Sequence, residues 1–249
     1  MVNEGVMNEN KSAEAFPEAT DIFPEGEAEF LNQERQPYRT DKLFDARKSG
    51  ETYNREFFAV IRDVESRFSE IPEFIGLAPF GSYTKGYAND ASDFDIYVII
   101  DAPTRELPAV DKIITSVEEE YKQKGIKISI HKESISTENF GTENASISES
   151  TIESAESMAL LTRTITGHKI GKYRELVKKK VDKMYPLKRK AFFENIVIIL
   201  TELDGLSRTL EKMDRRADEN ENSDEFDKEK YVNARRELWE KRAHKLFGE

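Results

Sequence analysis

Hydrophobic and polar positions divide the chain into unequal parts. Up to about residue 50, apolar positions are scattered and Pro17, Pro24 and Pro37 interrupt them. No 2.0 or 3.6 period persists there, which predicts a flexible or loosely docked leader with Phe16, Phe23 and Phe30 as potential anchors. From Thr52, the residues Tyr53, Phe57, Val60, Ile61, Val64 and Phe68 recur at three- and four-residue steps, the stripe of a one-sided helix. Phe74–Phe80 reads as a short strand. Phe94–Ile100 (FDIYVII) is a continuous apolar, β-branched run, as expected of a buried central strand.

Pro103 and Pro108 bracket the approach to a helix reaching about Lys124, with Val110, Ile113, Ile114, Val117 and Tyr121 as its stripe and Gly125 as its stop. Ile126–His131 alternates like a third strand. Residues 132–154 are rich in Ser, Thr, Glu and Asn and read as a loop. Helical spacing resumes near Ala155. It includes one strongly apolar helix from Phe192 to Leu210, a charged hinge over 214–227, and a last amphipathic helix around Tyr231, Ala234, Leu238 and Trp239. The predicted organisation is an acidic tail over 1–50, an α+β core with a mixed β-sheet over 51–154, and a helical C-terminal module over 155–249.

Charge changes this picture in two places. The chain has 249 residues and a net charge of −11, but 172–190 carries nine basic and two acidic residues. Bulk acidity argues against a general nucleic-acid coater and leaves that run as a local surface. A solvated helical face explains it slightly better than a binding patch, since only Tyr173 and Tyr185 interleave it. The absence of cysteine excludes disulfide scaffolds, thiol catalysis and cysteine zinc sites. His131, His168 and His244 are too dispersed to suggest a histidine metal site. The longest apolar run, Ile196–Leu200, falls far short of the ~20 residues of a membrane helix, and no secretory leader is visible, so a cytoplasmic location is expected.

The chemistry concentrates in Phe80–Val98 (FGSYTKGYANDASDFDIYV). Its skeleton is G-S-x(3)-G-x(5)-S-D-x-D on Gly81, Ser82, Gly86, Ser92, Asp93 and Asp95. Six such positions at ordinary residue frequencies coincide by chance on the order of 10⁻⁷ or less per starting point, so the pattern is a strong signal. Asp93 and Asp95 stand at i and i+2 at a strand start, so both carboxylates leave one face. Such a pair suits a hard divalent cation, and paired cations clamp the attacking and leaving oxygens of an in-line phosphoryl displacement. Gly81 lets backbone approach a phosphate, Ser82 and Ser92 offer hydroxyls, and Lys85 offers charge.

This segment resembles the DNA polymerase beta-like nucleotidyltransferase superfamily, in particular its small bacterial-type domains, over about residues 53–131. The resemblance implies a mixed sheet with flanking helices, Gly81 and Ser82 on the triphosphate, and Asp93 and Asp95 on two Mg²⁺ ions. It implies transfer of a nucleoside monophosphate from a nucleoside triphosphate such as ATP, with release of pyrophosphate. The acceptors it admits are a protein hydroxyl, a small molecule or an RNA end.

The family's third carboxylate is expected on a later strand, where this chain has Ser129, which cannot replace it as a base or strong Mg²⁺ ligand. His131 and Glu133 share the parity of Ser129, while Asp101 is a weaker candidate and Asp90 reads as a turn residue. The alternative expectation is a weakly active or inactive member of the fold, acting as a nucleotide binder or a toxin–antitoxin-type partner. The C-terminal helices would be its protein-binding surface.

Overall fold

The computed structural model describes residues 25–35, 51–85, 88, 91–102, 107–135, 150–219 and 227–248. Helix α1 spans Glu25–Arg35 and α2 spans Glu51–Phe68. Strand β1 (Phe74–Phe80) runs directly into the short α3 (Gly81–Lys85), and β2 (Phe94–Ile100) follows. Helix α4 (Pro108–Gln123) crosses over to β3 (Ile128–Ser134). Five helices follow: α5 (Ser150–Arg163), α6 (Ile170–Asp182), α7 (Pro186–Leu203), α8 (Leu206–Glu219) and α9 (Lys228–Phe247).

The sheet has the order β1-β2-β3, with β1 antiparallel and β3 parallel to β2. It is the mixed sheet expected from the pattern. Alternate residues Phe94, Ile96, Val98 and Ile100 are buried on one face, where Phe94 stacks on Phe57 of α2 with ring centroids 5.6 Å apart. Helices α2 and α4 cover this face and are tied together by an Arg67–Glu120 ion pair at 2.8 Å and a Tyr121–Asp63 hydrogen bond. The predicted α2 stripe is buried at Phe57, Val60, Ile61, Val64 and Phe68, which is where most of its stability as a helix comes from. Thr166 pairs with Leu77 and covers part of the outer edge of β1.

Four expectations are corrected. Residues 25–35 are helical and docked: Ala28, Phe30 and Leu31 are buried, and Phe30 lies 5.4 Å from Trp239 and beneath Arg242. The leader pattern was too short and too acidic to show one apolar edge. The acidic residues Glu27 and Glu34 are themselves buried on Arg174, Arg242 and Arg235. Second, the single helix over Phe192–Leu210 is two helices broken at Asp204–Gly205, where Gly205 takes φ +61°. An Asp-Gly dipeptide is a turn signal, so the break was readable. Third, helix continues through Glu219, deep into the expected hinge, while the rest of that hinge up to residue 226 lies outside the described residues. The expected loop likewise yields to α5 from Ser150, five residues before Ala155.

The apolar side of α7 is mainly core, with Phe192, Phe193, Ile196 and Leu200 buried. The basic run is largely a solvated face of α6 and early α7. Arg174 is the exception that ties the run to the core, donating to Glu27 and to the backbone carbonyls of Leu161 and Thr164, while Arg189 bonds Asp182 within the run.

The core and the helical module are joined by one buried ionic cluster. Asp204, at the α7–α8 break, accepts two 2.8 Å bonds from Arg235 of α9. Its carboxylate also faces Lys85 of α3 at 3.6 Å and Arg163 of α5 at 3.5 Å. Arg235 continues to the backbone and carboxylate of Glu34 in α1. Burial alone would raise the Asp204 carboxyl, but Arg235, Lys85 and Arg163 hold it well below the usual carboxylate range. Asp204→Ala would leave three buried cations facing one another. The expected cost is about 3–5 kcal/mol, read as a lower urea midpoint, with a far smaller loss for a control substitution at the exposed Glu237. Equal midpoints for the two variants would show that the cluster does not hold the fold together.

Candidate active site

The segment between β1 and β2 is anchored before it does any chemistry. Tyr83 stacks on Phe94 at 4.0 Å and on Phe57 at 5.8 Å, which pins α3 to the core and fixes Gly81 and Ser82 at its start. Gly81 has φ +81°, a conformation that disfavours side chains. A Cβ at Gly81 would also lie 2.0 Å from Asp95 Oδ2. The glycine is therefore required twice, for its backbone and for the carboxylate packed against it. That contact follows from register, because Phe80 pairs with Asp95.

The same register places Ser129 directly beside Asp95 on β3, at the position where the resemblance expects a third carboxylate. Its hydroxyl is 3.1 Å from His131 Nε2. His131 sits against Phe80 and Tyr97, which stack on each other at 4.1 Å. Of the three residues sharing this parity, Glu133 is the one that lines the neighbouring cleft.

A cleft of about 1060 Å³ opens on this side of the sheet. Gly81, Ser82, Lys85, Ser92, Asp93 and Asp95 all line it, so the structure brings together all six candidate residues. The opposite wall comes from the helical module: Glu156 and Leu160 of α5, Glu202 at the end of α7, and Arg208, Lys212 and Arg215 of α8. Sequence reasoning did not single out these wall residues. The available signal was the i, i+4, i+7 spacing of Arg208, Lys212 and Arg215 after the Asp-Gly break.

Lys85 differs from its expected role. It reaches the cleft wall, but its ammonium is buried, donating to the Asp204 carbonyl and, at 3.1 Å, to Thr209 Oγ1. Burial pushes its pKa down to about 8 against the pull of Asp204. Asp101 is held by the Tyr173 hydroxyl. Gly86 and Asp90 lie outside the described residues.

The carboxylate pair is electrostatically loaded. Burial first, and then the charge of Asp93, push the Asp95 carboxyl from 3.8 up to about 7, with Lys212 and Lys85 opposing. Two such carboxylates fit a hard divalent cation, which would cancel their repulsion and take its remaining oxygens from water and phosphate. Among the described residues, no group of three or more His, Asp or Glu side chains has a metal-holding arrangement, so the protein would supply only part of the coordination.

Mixed sheet, Gly-Ser turn and paired aspartates share this cleft, and the family model described as "Nucleotidyltransferase domain" matches residues 60–158. The chain carries a nucleotidyltransferase-superfamily domain. Members of this family transfer nucleotidyl groups and generally use divalent metals, so a nucleotide is its implied substrate. The match runs from the middle of α2 into α5 and spans the whole sheet. Neither the curated proteins nor the solved structures give a significant match to this chain.

The folded nucleotidyltransferase domain keeps the Asp95 proton up to about pH 7, whereas the unfolded carboxyl releases it near 3.8. The folded state thus binds more protons across that window, and cation-free stability falls as pH rises through it. Asp95→Asn is expected to raise the melting temperature of the cation-free protein at pH 8 by roughly 2–4 °C. That corresponds to about 1 kcal/mol, well below the full shift, because the open cleft screens a partly exposed carboxyl. The gain should vanish near pH 4, and added divalent cation should stabilise only the wild type. Identical melting curves at both pH values would refute the electrostatic assignment.

Proposed function

We propose that the protein transfers a nucleoside monophosphate from a nucleoside triphosphate, ATP among the candidates, to an acceptor hydroxyl and releases pyrophosphate. The observation that supports this best is the placement of Asp93 and Asp95 with Gly81 and Ser82 in one cleft, Asp95 packed against Gly81. Asp93 and Asp95 hold Mg²⁺, two ions in the active state. Gly81, Ser82 and Ser92 orient the triphosphate, through backbone at Gly81 and hydroxyls at the serines. When bound, Mg²⁺ neutralises charge on the phosphate under attack.

The acceptor oxygen forms a bond to the α-phosphorus as the bond from that phosphorus to the bridging oxygen breaks. Pyrophosphate carries away the electron pair. The acceptor proton passes to a water in the cleft: Ser129 holds the place of the third carboxylate, and Glu133, paired with Ile99, stands four residues, roughly 13 Å, farther along β3. The Glu156 and Glu202 side of the helical wall faces the acceptor, whether a protein hydroxyl, a small molecule or an RNA end. Among the described residues no helix is long and apolar enough to cross a membrane, and a cytoplasmic site suits a reaction that draws on nucleoside triphosphates.

A second reading rests on Ser129 itself. A serine in register with Asp95 is what a nucleotide-binding, non-transferring member of the fold would tolerate, including one that acts through a protein partner on its C-terminal helices.

Transfer of label from α-labelled nucleoside triphosphates, with Mg²⁺ and cell lysate as acceptor source, separates the two. We expect label on an acceptor, reduced at least ~10³-fold in both Asp93→Asn and Asp95→Asn, with folding retained because both side chains lie at the cleft. Activity surviving in these variants would refute the metal assignment. Mg²⁺-dependent nucleotide binding without transfer would favour the second reading.

A further inference from the structure

The Lys85 ammonium is buried on Asp204 and Thr209, so the cation expected beside the phosphates is engaged elsewhere. A triphosphate carries more negative charge than divalent cations can cancel once two carboxylates have already neutralised part of theirs. A site built on Asp93 and Asp95 therefore calls for further positive charge within the same cleft.

That charge is present on the opposite wall. Arg208, Lys212 and Arg215 of α8 are exposed and line the cleft that also holds Asp93 and Asp95. At i, i+4 and i+7 they form one edge of the helix and span roughly 10 Å along its axis, comparable to an extended triphosphate. Among the described residues none of the three makes an ion pair, although Lys228 nearby binds Asp214 of the same helix. Lys212 is near enough for its charge to counter the repulsion between Asp93 and Asp95.

The stripe is also held in place. Thr209, next to Arg208, is bonded by Lys85 from the helix that begins with Gly81 and Ser82. Asp204 and Gly205, which set the direction of α8, are fixed by Arg235 and by the α7–α8 break. The cationic edge and the Gly-Ser turn are thus parts of one rigid frame.

We propose that Arg208, Lys212 and Arg215 form the clamp for the β- and γ-phosphates of the nucleotide, so that the helical module completes the triphosphate site. This rests on the nucleotidyl-transfer reading above. The same stripe facing an RNA acceptor is the rival outcome. With the clamp on the triphosphate, the acceptor occupies the side of the cleft lined by Glu133, Glu156 and Glu202.

Calorimetric titration of the full chain in Mg²⁺ tests the clamp, using an α,β-methylene nucleoside triphosphate, inorganic tripolyphosphate, the nucleoside monophosphate and a short RNA. Arg208→Gln, Lys212→Gln and Arg215→Gln each replace an exposed cation with a good helix former, so unchanged melting temperatures serve as the folding control. We expect about tenfold weaker triphosphate and tripolyphosphate binding in each single variant, and at least ~100-fold in the triple variant. Monophosphate affinity should change little, and the salt dependence of triphosphate binding should flatten.

Unchanged triphosphate affinity in the triple variant would overturn the clamp while leaving the transfer reading intact. Loss confined to RNA would overturn it in favour of the rival. A wild type that binds neither triphosphate nor tripolyphosphate would overturn both proposals. Tripolyphosphate binding lost in the triple variant, without label transfer by the wild type, would uphold the clamp and remove the transfer.

Discussion

Asp204 is a fully buried carboxylate surrounded by cations drawn from three segments far apart in the chain: Lys85, Arg163 and Arg235. A buried charge is tolerated only when its partners are complete, so each helix that contributes one is constrained by the others. Arg235 extends the constraint to Glu34 and thereby to α1, while Arg242 and Arg174 secure the other end of α1 through Glu27. Both guanidinium groups nearest Trp239, those of Arg163 and Arg235, also lie over its ring, at 4.8 and 5.4 Å. The N-terminal helix, the sheet and the C-terminal helices are coupled through charge as much as through apolar area.

This coupling has a functional consequence. Lys85 lies three residues beyond Ser82, and its ammonium meets the first turn of α8. The carboxylate wall and the cationic wall of the cleft are thus held at a set separation by one lysine and one aspartate. A site split between a sheet and a helical module is otherwise exposed to relative motion of its halves, and small errors in position are costly when charges must be matched. The buried cluster lies where that motion would begin.

The strands, α2, α4 and the paired aspartates were legible because their signals are local. A period of 3.6 exposes the α2 stripe, a β-branched run exposes β2, and i, i+2 parity puts Asp93 and Asp95 on one side. Phe30 was legible as a potential anchor, but the helix α1 and its ionic docking were not, since its few buried apolar residues alternate with Glu27 and Glu34, whose partners lie about 150 to 215 residues away. The role of Lys85 was misjudged for the same reason. Its position beside a phosphate-type turn suggests solvent-facing charge, and only the distant Asp204 draws it inward.

By itself the sequence determined the element types, the nucleotidyltransferase motif and the likeness that comes with it, because these depend on spacings within about 20 residues. It also determined that Ser129 stands on the strand expected to carry a third carboxylate. Tertiary structure decided that Ser129 lies in register with Asp95, that Glu133 reaches the cleft, and that α8 presents Arg208, Lys212 and Arg215 opposite the aspartates. Those are matters of which distant segments meet. The pairing of buried charges and the packing of helix faces settle them, and neither leaves a periodic trace along the chain.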